Sequence, residues 1–88
     1  MKTRRFSNAM EIYIDNTVYL ISYSTPVAIL SERGKVKLTK DKYSASTTRQ
    51  INKFCKRHGI DENANYIELV SEETLITLCK EVNINLHW

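Results

Sequence analysis

In the stretch TTRQINKFCKRHG, Thr47 to Gly59, Cys55 and His58 stand three residues apart. At that spacing two side chains share one helical face, and a thiol can meet a general base. The surrounding residues argue against this chemistry. Ile51, Phe54, Cys55 and His58 cluster on one side of a helical wheel, so the thiol falls within an apolar stripe. Desolvation there disfavours the thiolate that a nucleophile requires. Core packing is the expected role of Cys55. A metal site is the second option, because Cys55, His58, Cys79 and His87 supply two thiols and two imidazoles. Their order, Cys-x2-His, then 20 residues, then Cys-x7-His, matches no zinc-finger spacing. Two ligands on each of two packed helical segments could still converge, and burial of both cysteines is the competing expectation. Two glycines, Gly34 and Gly59, cannot build a phosphate-cradling loop of the nucleotide-binding kind. The expectation is a protein that is not an enzyme and holds neither metal nor cofactor.

The other side of the same helix carries the strongest functional signal. Arg49, Lys53, Lys56 and Arg57 cluster opposite the apolar stripe, and no Asp or Glu occurs between Thr47 and Gly59. An amphipathic helix needs a polar face, but a face of one sign is rarer than a mixed one. Joined by Lys40 and Lys42 just before the helix, these cations could neutralise several phosphates or meet an acidic protein surface. The six residues form the expected binding face.

Aromatic residues on an exposed sheet could add a base-stacking platform. Tyr13, Tyr19 and Tyr23 share parity, yet a two-residue turn at Asp15-Asn16 sets Ile12 opposite Tyr19 and Tyr13 opposite Val18. Tyr19 and Tyr23 then share a face with Ile12, Ile14 and Ile21, which reads as core. Trp88, beside His87, either closes the core edge or anchors a partner.

The elements that must position these groups fit one domain over residues 1–88. A chain this short buries only roughly 60–65% of its unfolded surface, so its core is thin. With 42% hydrophobic and 26% charged residues, the composition is globular. The longest apolar runs, Val18 to Ile21 and Val27 to Leu30, fall far short of the roughly 18 residues of a membrane span. Lys2, Arg4 and Arg5 open the chain like a signal peptide, but Glu11 stands where an apolar region should continue. A cytoplasmic protein without membrane attachment is expected. Two cysteines are too few for a secreted, disulfide-stapled fold, and they read as reduced and buried. Residues 1–60 hold 12 cations and 4 acids, giving +8, whereas residues 61–88 hold one cation and 6 acids, giving −5. The molecule is expected to be electrostatically two-faced.

From Glu11 to Lys40 β-branched and aromatic residues dominate, punctuated by turn signals. Pro26 either closes a turn at Ser24-Thr25-Pro26 or kinks a long edge strand. SERG, ending in Gly34, reads as the next turn, and KVKLT as the strand after it. A helix follows, capped by Ser46 or Thr47 and ended by Gly59, with Ile60 packing back. YIELV is either a short strand or the approach to a second helix, which Ser71 caps and Glu72 and Glu73 favour electrostatically. In that helix Leu75, Ile76, Leu78, Cys79 and Val82 form a core-facing stripe. The expected fold is α+β: a three- or four-stranded antiparallel meander with two helices packed on one face.

At YSASTTRQINKF, Tyr43 to Phe54, the chain resembles a family of small proteins of unknown function carried by phages, plasmids and other mobile elements of bacteria. Tyr43, Ser44, Ser46, Thr47, Ile51 and Phe54 match its capped helix after a strand meander, and Gln50 stands where that pattern has His. The resemblance implies a phage accessory role, including inhibition of host defence. Together with the missing catalytic motifs, it gives the expected function: a stoichiometric, anti-CRISPR-like binder of a bacterial host protein or nucleoprotein. The alternative is a nucleic-acid-binding module using the basic face of the first helix.

Overall fold

The computed structural model describes residues 2–6 and 8–86. The chain runs β1 (Lys2–Phe6), β2 (Ala9–Ile14), β3 (Thr17–Ser22), β4 (Thr25–Leu30), β5 (Val36–Thr39), α1 (Ala45–Arg57), β6 (Ile67–Val70) and α2 (Glu72–Glu81). These described residues form an α+β structure on one sheet whose six strands lie in sequential order. Strands β1 to β5 are antiparallel neighbours, and β6 pairs with β5 in parallel.

The β2–β3 hairpin has the expected register, with Ile12 opposite Tyr19 and Tyr13 opposite Val18. Asp15 and Asn16 both adopt positive φ, 48° and 66°. That is the turn geometry whose twist suits a two-residue hairpin. Tyr23, expected to share the core face, instead occupies the β3–β4 turn at φ 58° and is 49% exposed. Pro26 neither closes the turn nor marks an edge. It lies opposite Ile21 in β4, a central strand, where a register shift after Leu20 provides the bulge that a residue without an N–H needs.

The three- or four-stranded antiparallel meander is thus corrected to a six-stranded mixed sheet. β1 shows no apolar alternation because Lys2, Thr3, Arg4 and Arg5 are all exposed on an edge strand. Charge on an edge discourages pairing with other chains, and it also hides the strand from a hydrophobic pattern. β6 becomes a strand because α1 crosses over between β5 and β6, the connection that a parallel pair requires.

The placement of both helices on one face is likewise corrected. Phe54 and Cys55 of α1 pack with Val18, Leu20, Ala28 and Leu38, whereas Leu75 and Cys79 of α2 pack with Ile12, Tyr19, Ile21 and Ile29. Neighbouring strand residues point to opposite faces, so the helices cover opposite sides of the sheet. The cause lies in β3 and β4, which are buried in both alternations and need a cover on each side. Among the described residues no helix is long and apolar enough to cross a membrane.

Ser44, rather than Ser46 or Thr47, caps α1, its hydroxyl accepting from the Thr47 N–H at 3.4 Å. At the other end His58 is the C-cap and Gly59 takes φ 66°. Ile60 N–H then donates to Cys55 carbonyl at 2.8 Å and Gly59 N–H to Lys56 at 3.4 Å, the paired bonds of a Schellman ending. Ser71 caps α2, accepting from Thr74 N–H, and Asn83 at φ 62° plays the part that Gly59 plays in α1.

Candidate functional site

Arg49, Lys53 and Lys56 recur at i, i+4 and i+7 along α1 and are exposed. At 1.5 Å per residue they span about 10 Å of one helix flank. Among the described residues none of the three makes an ion pair. Lys40 and Lys42 are also exposed, in the connection between β5 and α1. Asp41 between them accepts the Glu72 backbone N–H at 3.1 Å, and Tyr43 donates its hydroxyl to Glu72 at 2.6 Å. Burial, followed by that bond, pushes the Tyr43 phenol up to about 12. These contacts fasten the connection to the first turn of α2 and set two acids beside the two lysines. The three helical cations thus form a row on a helix that carries no acid of its own.

Arg57 leaves the row. Its guanidinium lies 2.6 Å from Glu11 Oε2 and 4.8 Å above the Phe6 ring. Glu11 is wholly buried, and its Oε1 accepts the Tyr13 hydroxyl at 2.5 Å and lies 3.3 Å from His58 Nε2. Burial, then the bond to Glu11, raises the Tyr13 phenol. This cluster fixes the C-terminal end of α1 to β1 and β2. The sequence reading missed Glu11; its signal was an acid between apolar neighbours in AMEIYI, on the inward alternation of a strand.

A second buried polar group holds the N-terminal half of α1. Ser22 Oγ donates to Gln50 Oε1 at 2.5 Å and lies 3.0 Å from Thr47 Oγ1. Since Ser22 has one proton and gives it to Gln50, the Thr47 hydroxyl donates to Ser22. Gln50 Nε2 is left buried with no partner among the described residues. An interior donor without a partner costs roughly 1–3 kcal/mol. Gln50 also lines a cavity of about 120 Å³ with Asn8, Ser46, Arg49 and Lys53. A polar residue within the stripe that Phe54 and Cys55 define was the available signal in the sequence.

The other chemical candidates separate. Burial pushes the Cys55 and Cys79 thiols up to about 11, so both are protonated near neutrality. His58 faces Glu11, Phe54 and Tyr13. Cys55 and Cys79 lie in cores on opposite sides of the sheet, so they cannot share a metal. His87 and Trp88 lie outside the described residues. Tyr19 is buried in the α2-side core, which removes it from any stacking surface.

No curated protein and no solved structure matches this chain. A family of unknown function, DUF8033, matches residues 1–71, which hold all six strands, α1 and the Ser71 cap of α2. The chain belongs to that family.

Proposed function

We propose that this protein is a non-enzymatic binder of a phage or other mobile element. It acts stoichiometrically on a bacterial host protein or nucleoprotein, as an anti-defence inhibitor of the anti-CRISPR type. The observation that carries the binding reading is the row Arg49, Lys53 and Lys56: exposed, without an ion pair among the described residues, and mounted on a helix fixed to the sheet at both ends. A rigid row of like charge steers an oppositely charged partner and fixes its register, and it loses little side-chain-independent entropy on docking. The resemblance of Tyr43 to Phe54 to proteins of mobile elements supports the biological setting. The raised thiols and the engagement of His58 with Glu11 favour binding over nucleophilic catalysis.

Affinity purification from a bacterial host, with and without nuclease, tests this reading. Recovery of one protein in a stoichiometric ratio, unchanged by nuclease, is the expected result. Recovery of many proteins that nuclease removes would replace it with nucleic-acid binding.

A further inference from the structure

We infer that the cavity between α1 and the β1–β2 turn is a binding site for a single phosphate group, free or as a monoester. Its lining consists of Asn8, Ser46, Arg49, Gln50 and Lys53: two amides, a hydroxyl, a guanidinium and an ammonium, with no carboxylate. The site goes beyond the docking row described above, with which it shares only Arg49 and Lys53.

The unpartnered amide is what separates this cavity from an ordinary basic surface. Gln50 is 2% exposed, and its Oε1 accepts from the Ser22 hydroxyl, which lies 3.0 Å from Thr47 Oγ1. Its Nε2 has no hydrogen-bond partner among the described residues. Ser46 and Arg49 flank Gln50 along the same helix, and Lys53 is one turn from Arg49. Asn8 closes the cavity from the sheet side, its backbone carbonyl accepting the Tyr23 N–H at 2.8 Å. Donor-bearing residues contributed by both a helix and a turn suit a tetrahedral ion, which offers acceptors in several directions, better than a planar carboxylate. Arg49 adds a fork that matches two phosphate oxygens. At about 120 Å³ the cavity is smaller than the roughly 300–1,000 Å³ that buries a drug-sized ligand, so it takes the phosphate and leaves any attached group outside.

The test is titration of the full chain with inorganic phosphate, and separately with a nucleoside 5′-monophosphate, at constant ionic strength set with chloride. Melting temperature and the NMR signal of the Gln50 side-chain amide are followed. Both should respond saturably, since a ligand that binds only the folded state raises its stability by mass action. Tighter binding of the nucleotide identifies a monoester as the natural source, and tighter binding of inorganic phosphate identifies the free ion; each supports the site. Gln50→Glu keeps the acceptor for Ser22 but replaces the donor with an oxygen, and should weaken phosphate at least about tenfold. Arg49→Gln, at an exposed position, should do the same and serves if the buried variant does not fold. Lys56→Gln, outside the cavity but within the docking row, should leave phosphate affinity unchanged. A response that does not saturate, an equal response to acetate, or an equal loss in Lys56→Gln would overturn the site. Capture of the host partner would be unaffected by those outcomes, so the two readings fail separately.

Discussion

Arg57 and Glu11, 46 positions apart in the chain, meet as an ion pair at 2.6 Å in which the carboxylate is wholly buried and the arginine keeps 28% of its side chain exposed. The asymmetry decides what each residue does. Removing the cation leaves a buried charge with weaker compensation, whereas the arginine alone could return to water. Arg57→Ala should therefore destabilise by about 2–3 kcal/mol, below the roughly 3–5 kcal/mol of a fully buried pair, because the exposed side is screened and Tyr13 still donates to Glu11. Urea denaturation measures it. A loss within error of zero would mean that Glu11 does not depend on Arg57.

Phe54 is fully buried and is the largest apolar side chain of the α1-side core. Phe54→Ala should cost about 3–5 kcal/mol, because a thin core relaxes poorly around the void. A measured loss under about 1 kcal/mol by denaturant melt would contradict the orientation of α1.

The thiols set a pH limit. Burial raises Cys55 and Cys79 from 9.0 to about 11, so between those values the unfolded chain releases protons that the folded chain keeps. Stability is then unaffected below about pH 9 and falls as pH rises through about 11. Replacing both cysteines with Ala should flatten this decline in a series of thermal melts, leaving the part due to the raised phenols of Tyr13, Tyr19 and Tyr43, the last raised to about 12. An identical decline in the double variant would show that the thiols do not drive it.

With Cys55 and Cys79 divided by the sheet, the purified protein should hold no stoichiometric zinc, and chelator should leave its melting temperature unchanged. Metal analysis finding one zinc per chain would contradict the separation of the two cores.

The parts of the fold that local chemistry determines were legible in the sequence. Asp15 and Asn16 tolerate positive φ, so the first hairpin and its register followed; Gly59 and Ser71 marked a helix end and a helix start. What was not legible depended on partners distant in sequence. β1 is a strand only because β2 pairs with it, and its charged residues conceal that. The second face of the sheet was implied by VYLI and VAIL, apolar in both alternations, but runs that short do not reveal on which side each helix packs. At the site, Arg49, Lys53 and Lys56 were readable as an exposed row from helical periodicity alone. Arg57 was not, since its partner Glu11 lies on a strand 46 residues earlier, and the Gln50 network required Ser22 from yet another strand.

The most direct measurement of the central claim is partner binding by the double variant Lys53→Glu, Lys56→Glu. Both side chains are exposed and make no ion pair with a described residue, so the variant should fold with a melting temperature close to the parent's. If the α1 row docks on an acidic host surface, the variant should lose the stoichiometric partner. The parent's association rate, more than its dissociation rate, should fall with added salt. A folded double variant that retains the partner at the parent's affinity would contradict the account and reduce the row to a solvated helix face.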